Sequence, residues 1–100
     1  MVLMTPPQPV KVNLIRRPDF RENYANSVQM RVNLWDFYLE FGTVNQTDPS
    51  QVSIETFQGV YLSPQQAKAL WNLLQQNLSQ YEATFGEIKL DAKAGFGAVQ

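Results

Sequence analysis

The 100-residue chain contains no cysteine and no histidine. The absence of cysteine excludes disulfides, a thiolate nucleophile, and zinc or iron–sulfur sites held by thiolates. The absence of histidine removes the commonest general base and the commonest transition-metal ligand. Walker loops, dinucleotide-binding glycine signatures and metalloprotease helix motifs are also missing from the sequence. The sequence therefore predicts no catalytic residue, no metal site and no bound cofactor, and we expect the protein not to be an enzyme.

Long apolar runs are absent too. No run approaches the roughly 20 residues that cross a bilayer, and the opening MVLMTPPQPV lacks the charged and apolar regions of a signal peptide. We therefore expect a cytoplasmic protein without membrane contact. The content of 44% hydrophobic and 12% aromatic residues is typical of a globular chain, and this length suits one domain with a single modest core.

Charge is sparse and unevenly placed. The net charge is −1, but residues 1–35 contain five basic and two acidic residues, whereas residues 36–100 contain three basic and seven acidic ones. This asymmetry is either of no consequence or a basis for contacts between subunits. The basic residues near the beginning include Arg16, Arg17 and Arg21 with Phe20 beside them, yet the overall charge is not that of a nucleic-acid-binding protein. We do not expect nucleic acid to be a partner.

The clearest element in the sequence is a predicted helix from Ser63 to Gly86. Ser63 is a favourable N-cap, Pro64 suits the first helical position, and Gln66 completes a capping-box pattern. Gly86 is the residue type most often found where a helix ends. Apolar residues recur at the spacing of one helical face: Ala67, Leu70, Trp71, Leu74, Leu78, Tyr81 and Phe85.

The opposite face of this predicted helix is almost uncharged. It consists of amide and hydroxyl side chains: Gln65, Gln66, Asn72, Gln75, Gln76, Ser79 and Gln80. Such a face is buried between subunits at less desolvation cost than a charged one; the alternative is a compositional preference for Gln. Lys68 lies one turn into the helix, where the helix dipole disfavours a cation. We interpret it either as the partner of a carboxylate on a loop or another subunit, or as a flexible side chain in solvent.

Alternating apolar and polar residues predict three or four strands before the helix. The predicted ranges are Val10–Arg17, Tyr24–Val32, Phe37–Phe41 and Val52–Leu62. Asn33–Asp36 predicts a tight turn, and Asn45–Ser50 predicts a loop, because Asn, Asp and Ser favour local backbone hydrogen bonds. Gln58-Gly59 predicts a bulge within the last strand. The short connections favour an antiparallel meander.

The predicted fold class is α+β, an antiparallel meander of three to four strands with the long C-terminal helix packed on one sheet face. The apolar residues expected under the helix are Val28, Met30, Val32, Phe37, Leu39, Phe41, Val52, Ile54, Val60 and Leu62. Residues 1–9 are expected to form a flexible arm because prolines there lack the N–H that a strand requires, and 10–88 form the single domain. Residues 89–100 are a flexible tail or, alternatively, a strand that adds to a neighbouring subunit's sheet edge.

Three segments together resemble a known family. They are Tyr24-Ala25-Asn26, then the DFxLxFG pattern over 36–42, then SPxxAKxLxxxLxxNxxxYExxFGxI over 63–88. In these residues the chain is similar to a family of short prokaryotic proteins that is known as a domain of unknown function. The resemblance covers Tyr24 to Ile88 and leaves Val10–Arg17 outside. It implies a small cytoplasmic protein and transfers no catalytic residue.

The outer face of the predicted sheet is the candidate interface. It has the side chains Arg31, Tyr38, Glu40, Glu55, Phe57 and Tyr61. Aromatic residues and arginine are enriched in protein–protein interfaces, but strands favour aromatic residues in any case. Glu40 paired with Asp36 or Glu55 is a formal acid–base or cation-binding pair. A solvated ladder of charges across the strands is the simpler interpretation.

These observations favour a non-enzymatic, homo-oligomeric interaction or scaffold protein that acts through its exposed sheet face or edge, with a second copy or another protein as its partner. The alternative is a chaperone-type binder of unfolded peptide, because small antiparallel sheets followed by a long helix resemble the architecture of the secretion chaperone SecB. A nucleic-acid or small-ligand binder is a third interpretation, and the glutamates on the sheet face disfavour nucleic acid because they would repel phosphate.

Overall fold

The computed structural model describes residues 9–90, apart from the side chain of Thr47. Its elements are strand β1 (Ser27–Val32), strand β2 (Phe37–Asp48), strand β3 (Gln51–Leu62) and helix α1 (Pro64–Phe85). The strands form one antiparallel sheet in the order β1-β2-β3. The predicted α+β class, the meander and the long C-terminal helix are therefore confirmed.

Asn33 makes the turn between β1 and β2. Its side-chain Oδ1 accepts hydrogen bonds from the N–H of Trp35 at 2.8 Å and of Asp36 at 2.9 Å, and its own N–H donates to the carbonyl of Asp36 at 3.0 Å. An Asn side chain that accepts these bonds mimics a backbone turn. The turn predicted over Asn33–Asp36 is confirmed.

Asp48 closes the hairpin between β2 and β3. Its Oδ1 accepts hydrogen bonds from the N–H and the hydroxyl of Ser50, each at 3.0 Å, and these bonds lower the pKa of the Asp48 carboxyl. One side chain that caps the turn in this way lets both strands continue almost to the turn itself. The loop predicted over Asn45–Ser50 is therefore wrong, because only Pro49 and Ser50 lie between the strands.

A β-bulge at Phe57 divides β3 into two halves. Phe41 pairs with Gln58, whereas Gly42 pairs with Thr56, so Phe57 has no partner in the ladder. An additional residue in one strand of an antiparallel pair bends that strand and increases its twist. The structure thus confirms that β3 is irregular and places the bulge just before the predicted Gln58-Gly59.

The bulge changes which side chains share a face of the sheet. Leu39 pairs with Val60 on the face that we call the inner face. Beyond the bulge, Ile54 pairs with Val44, and both lie on the opposite, outer face because side chains alternate along β2. The prediction that Val52 and Ile54 share a face with Val60 is wrong, since it assumed unbroken alternation along β3.

Asn26 and Gly42 position the backbone at the bulge. The N–H of Asn26 donates to the carbonyl of Gly42 at 3.1 Å, and Oδ1 of Asn26 accepts from the N–H of Val44 at 2.7 Å. A Cβ on Gly42 would lie 2.5 Å from the carbonyl oxygen of Glu55, which is a backbone atom of β3. The close approach of the two strands therefore requires glycine here.

Both predicted ends of α1 are confirmed. Ser63 Oγ accepts a hydrogen bond from the N–H of Gln66 at 3.1 Å. At the other end Gly86 has φ 106° and donates its N–H to the carbonyl of Glu82 at 2.9 Å. The N–H of Ile88 then donates to Oε2 of Glu82 at 2.9 Å, so the chain turns back on the last helical turn.

The packing of α1 differs from the prediction. No residue of α1 is buried, its contacts with the sheet are few, and from Trp71 to the end of the helix only Glu82 is less than exposed. Leu39 is the one apolar side chain in residues 9–90 that is buried. In a single copy the helix does not lie packed on a sheet face. Periodicity identifies the apolar stripe of a helix, but it does not identify the surface that the stripe meets.

Residues 9–26 precede β1 without regular secondary structure. Four aliphatic side chains of this segment are 74–94% exposed: Val10, Val12, Leu14 and Ile15. The strand predicted over Val10–Arg17 does not form, because no strand within residues 9–90 pairs with it. The arm predicted over 1–9 and the tail predicted over 89–100 lie almost entirely outside the described residues.

We expect Gly42→Ala to lower the free energy of unfolding by about 1–3 kcal/mol, because the added Cβ collides with the backbone of β3. Gly59→Ala is the matched control. The atoms nearest to its Cβ belong to the end of the Tyr38 side chain, which shifts at less cost than backbone, so the loss is smaller. Urea denaturation followed by circular dichroism measures both, and equal losses would contradict this account of Gly42.

Candidate functional site

Four of the six predicted interface residues lie side by side on the outer face. Arg31 of β1 pairs with Tyr38 of β2, and Tyr38 pairs with Tyr61 of β3. Glu40 is two residues from Tyr38 along β2 and therefore lies on the same face. We call this group the outer-face cluster: Arg31, Tyr38, Glu40 and Tyr61.

Tyr38 is the centre of the outer-face cluster. Its ring centroid lies 4.7 Å from that of Tyr61 with the planes inclined at 43°, and the guanidinium carbon of Arg31 lies 4.7 Å from the centroid of the Tyr38 ring. The Tyr38 hydroxyl donates a hydrogen bond to Oε2 of Glu40 at 3.2 Å. A tilted aromatic pair and a cation over a ring are both favourable arrangements. These contacts hold the four side chains in one geometry.

Gly59 provides the space that the Tyr38 ring occupies. It pairs with Glu40 across the strands, and a Cβ on Gly59 would lie 2.8 Å from Cε1 of Tyr38. An aromatic side chain that covers a glycine of the next strand protects backbone that has no side chain of its own. The glycine therefore helps to orient Tyr38 toward Glu40.

The surroundings raise the pKa of Tyr38 above its ordinary value of 10.0. Desolvation of the phenol is the largest cause, followed by the hydrogen bond to Glu40 and the negative charge of that carboxylate, while the charge of Arg31 acts in the opposite direction. At neutral pH the Tyr38 hydroxyl is therefore a protonated donor. The cluster offers stacking, hydrogen bonds and charge, but no activated base or nucleophile.

Glu55 and Phe57 are not part of the outer-face cluster. Glu55 pairs with Thr43 and so lies on the inner face, while Phe57 lies in the bulge and lines a shallow cavity with Phe41. Both were assigned to the outer face by unbroken alternation, which the additional bulge residue reverses. The formal pair of Glu40 and Glu55 is excluded because the two side chains lie on opposite faces.

Val44 and Ile54 belong to the outer face, although the sequence did not predict them there. They pair beyond the bulge and extend the outer face toward the Asp48 hairpin with aliphatic side chains. The signal that would have located them is Gly42, because a glycine inside a strand often marks a bulge or a close backbone approach.

Metal-binding groups and membrane-spanning helices are two further features that residues 9–90 lack. In this range no group of three or more acidic side chains is close enough to hold a metal ion. The helix that it contains, α1, lacks the apolarity that crossing a membrane requires. The outer-face cluster is thus the best-defined group of interacting polar and aromatic side chains in the described chain.

We expect Glu40→Gln to lower the pKa of Tyr38, because it removes the negative charge that disfavours the phenolate. Arg31→Gln is expected to raise the same pKa, because it removes the neighbouring positive charge. Carbon-13 NMR titration of labelled tyrosine measures both shifts, with Tyr38→Phe to assign the signal. Shifts in the same direction for the two variants would contradict the geometry of the cluster.

Comparison with known proteins places these elements in one family. A family model described as "Protein of unknown function (DUF3467)" matches residues 3–90, which include the outer-face cluster and α1. The predicted resemblance to a family of unknown function is confirmed, and the match also includes Val10–Arg17, which the resemblance had left outside. Neither the curated proteins nor the solved structures contain a match to the chain.

Proposed function

The chain belongs to the DUF3467 family of proteins of unknown function, and we propose that it is a non-enzymatic interaction or scaffold protein that works as a homo-oligomer in the cytoplasm. Its surface for association is the outer face of the sheet, centred on the outer-face cluster. The partner across this face is a second copy of the chain. The observation that carries this proposal is how little apolar surface a single copy buries.

Within residues 9–90, with Thr47 left aside, only three residues are buried: Ser27, Leu39 and Gly42. Cores of folded domains are normally built from many fully buried apolar side chains. Burying one large apolar side chain contributes roughly 1.5–3 kcal/mol. A single copy gains this for very few of its side chains, so association with another copy is a direct way to complete the fold.

The accessible surface leads to the same conclusion. The chain exposes 9506 Å², whereas a folded monomer of 11.4 kDa is expected to expose about 5,800 Å². The largest surface that the 18 residues outside 9–90 can expose is about 2,700 Å², and with that amount subtracted the rest of the chain still exceeds the expectation for its own mass by about 1,700 Å². A typical stable interface covers about 800 Å² on each partner. The excess is sufficient for two such contacts per copy.

The outer-face cluster has the chemistry of an interface centre. Tyr and Arg are the residue types that most often dominate binding energy, and Tyr61 is 66% exposed. Tyr38 is already held by Arg31 and Glu40, so its ring loses little conformational freedom on binding. In a two-fold dimer the same patch faces itself, and Arg31 of one copy is then available to Glu40 of the other.

A second candidate function is the binding of unfolded peptide, and the open sheet edges favour it. In the described chain β1 and β3 each have one unpaired edge. Unpaired edges accept extended peptides through backbone hydrogen bonds, while side-chain pockets select the sequence. The extended, exposed segment around Val12 and Leu14 offers apolar contacts of the kind that unfolded chains present.

We expect Tyr61→Lys to halve the mass of the assembly measured by light scattering after gel filtration, because two such faces would bring lysines together. Gln51→Lys is the matched control, since it introduces the same charge on the same strand at the far end from the cluster. A wild-type chain that is monomeric at every concentration would overturn the proposal. An oligomer whose mass Tyr61→Lys leaves unchanged would exclude the outer face.

The second candidate has its own measurement. If the chain binds unfolded peptide, it suppresses the aggregation of a chemically unfolded client protein at near-equimolar concentration. The same assay is repeated with two variants. Loss of suppression in Tyr61→Lys indicates binding at the outer face, and loss in Gln51→Lys indicates binding at the edge of β3. If the wild-type chain does not suppress aggregation, the hypothesis that it binds unfolded peptide is wrong.

A further inference from the structure

Helix α1 has an apolar stripe that nothing within residues 9–90 covers. Its large side chains are 46–74% exposed: Trp71, Leu74, Leu78, Tyr81 and Phe85. The rings of Tyr81 and Phe85 lie 4.9 Å apart, so the stripe is continuous through the last turn. Helices in water depend on the packing of an apolar face more than on intrinsic propensity. The stripe therefore needs a partner.

The spacing of the stripe indicates what kind of partner it suits. Its residues follow at intervals of 4, 3, 4, 3 and 4 positions: Ala67, Trp71, Leu74, Leu78, Tyr81 and Phe85. These fill every a and d position of a heptad from Ala67 to Phe85. The flanking e and g positions are mostly polar, so the apolar band is a narrow seam rather than the broad face that covers a sheet. We call these six residues the seam.

The spacing of the seam residues is the same from either end of the helix, and its centre lies at position 76. A second copy of α1 laid alongside in antiparallel orientation therefore places Ala67 against Phe85, and the same register brings Leu74 against Leu78. In antiparallel pairs an a position meets a d position, which this register satisfies throughout. The small Ala67 faces the large Phe85 at each end of the seam, and Trp71 faces Tyr81 one step further in, where the two rings can pack against each other.

The charges of the helix have the same symmetry. Lys68 and Glu82 are the only charged residues of α1, and both occupy the e position of the heptad. In an antiparallel pair the e positions of one helix lie beside the e positions of the other. In the register described above, Lys68 of each copy therefore lies opposite Glu82 of the second copy. A parallel pair would instead place each e position beside a g position of the second copy, so Lys68 and Glu82 would face the uncharged Ser63 and Asn77. Charge complementarity thus selects the antiparallel orientation.

We propose that a second copy of this chain docks along α1 in antiparallel orientation, through the seam and two ion pairs between Lys68 and Glu82. This deepens the proposed self-association and rests on it, but it uses a surface distinct from the outer-face cluster. A helix of 22 residues is about 33 Å long, which is enough for a contact of ordinary size. The pairing accounts for one of the two contacts that the excess surface allows.

The proposal also explains the position of Lys68. A cation in the first turns of a helix is disfavoured by the helix dipole, and the structure shows no acidic residue in the first turn of α1 to offset it. At the opposite end the dipole disfavours the anion of Glu82, which is offset in part because its Oε2 accepts a hydrogen bond from the N–H of Ile88. Both placements become favourable when a second, antiparallel helix brings the two charges together.

Spin labels test the orientation, and the chain is well suited to them because it has no native cysteine. Gln76→Cys and Ala83→Cys both place a label at an f position, on the side of α1 away from the seam. In the antiparallel pair the labels at 76 lie level, about 20 Å apart across the pair, whereas those at 83 are offset by about 21 Å along the axis and so lie about 29 Å apart. Pulsed electron spin resonance measures both distances.

The other possible results of the spin-label experiment contradict different parts of the proposal. Equal distances for the two labels indicate a parallel pair and overturn the orientation. An oligomer without a label distance in this range overturns the helix contact but leaves the proposed function standing. A chain that is monomeric at every concentration contradicts both the helix contact and the proposed function. In a Tyr61→Lys background the two distances persist, which separates this contact from the outer face.

Charge reversal tests the ion pairs. We expect Lys68→Glu to weaken self-association about tenfold, because it places glutamate against Glu82 in both pairs. Adding Glu82→Lys to the same chain restores association. A weaker helix does not explain the loss, since Lys68→Glu improves the interaction with the helix dipole, and circular dichroism verifies the helix content. A double variant that associates no better than Lys68→Glu would overturn the pairing.

Discussion

Apolar surface that one copy cannot cover is the constraint on which the rest of this structure depends. The chain forms a regular three-stranded sheet and a well-capped helix within residues 9–90, yet Leu39 is the one apolar residue buried there. The hydrophobic effect therefore favours any arrangement that covers the exposed aromatic side chain of Tyr61 on the outer face and the seam of α1. In the oligomer that we propose, association is part of folding rather than an event that follows it.

The bulge opposite Gly42 decides which side chains meet on each face. Because it adds one residue to β3, Tyr61 remains beside Tyr38, while Glu55 moves to the inner face. The candidate site is thus a consequence of a backbone constraint several residues away. Asn26 holds the other side of Gly42 by two hydrogen bonds, so segments distant in the sequence share the control of this face.

The outer-face cluster and the seam present different chemistry to a second copy. The cluster offers rings and opposite charges on a flat sheet, whereas the seam offers a ridge of apolar side chains with one charge at each end. In the proposed assembly, two contacts of different kinds would let each copy bind more than one neighbour, which is how dimers become larger symmetric assemblies. Such repetition is the basis of the scaffold role that we propose.

The sequence by itself determined the class of the fold, the helix from Ser63 to Gly86, the Asn33 turn and most of the outer-face cluster, because these depend on periodicity and on local hydrogen bonds. It placed Glu55 and Phe57 wrongly because one unpaired residue reverses alternation, and a bulge depends on backbone contact with Gly42 across the sheet. Only the tertiary structure decided that α1 does not cover the sheet. Periodicity shows that a stripe is apolar, whereas what covers it depends on the position of every other surface, including those of a second copy.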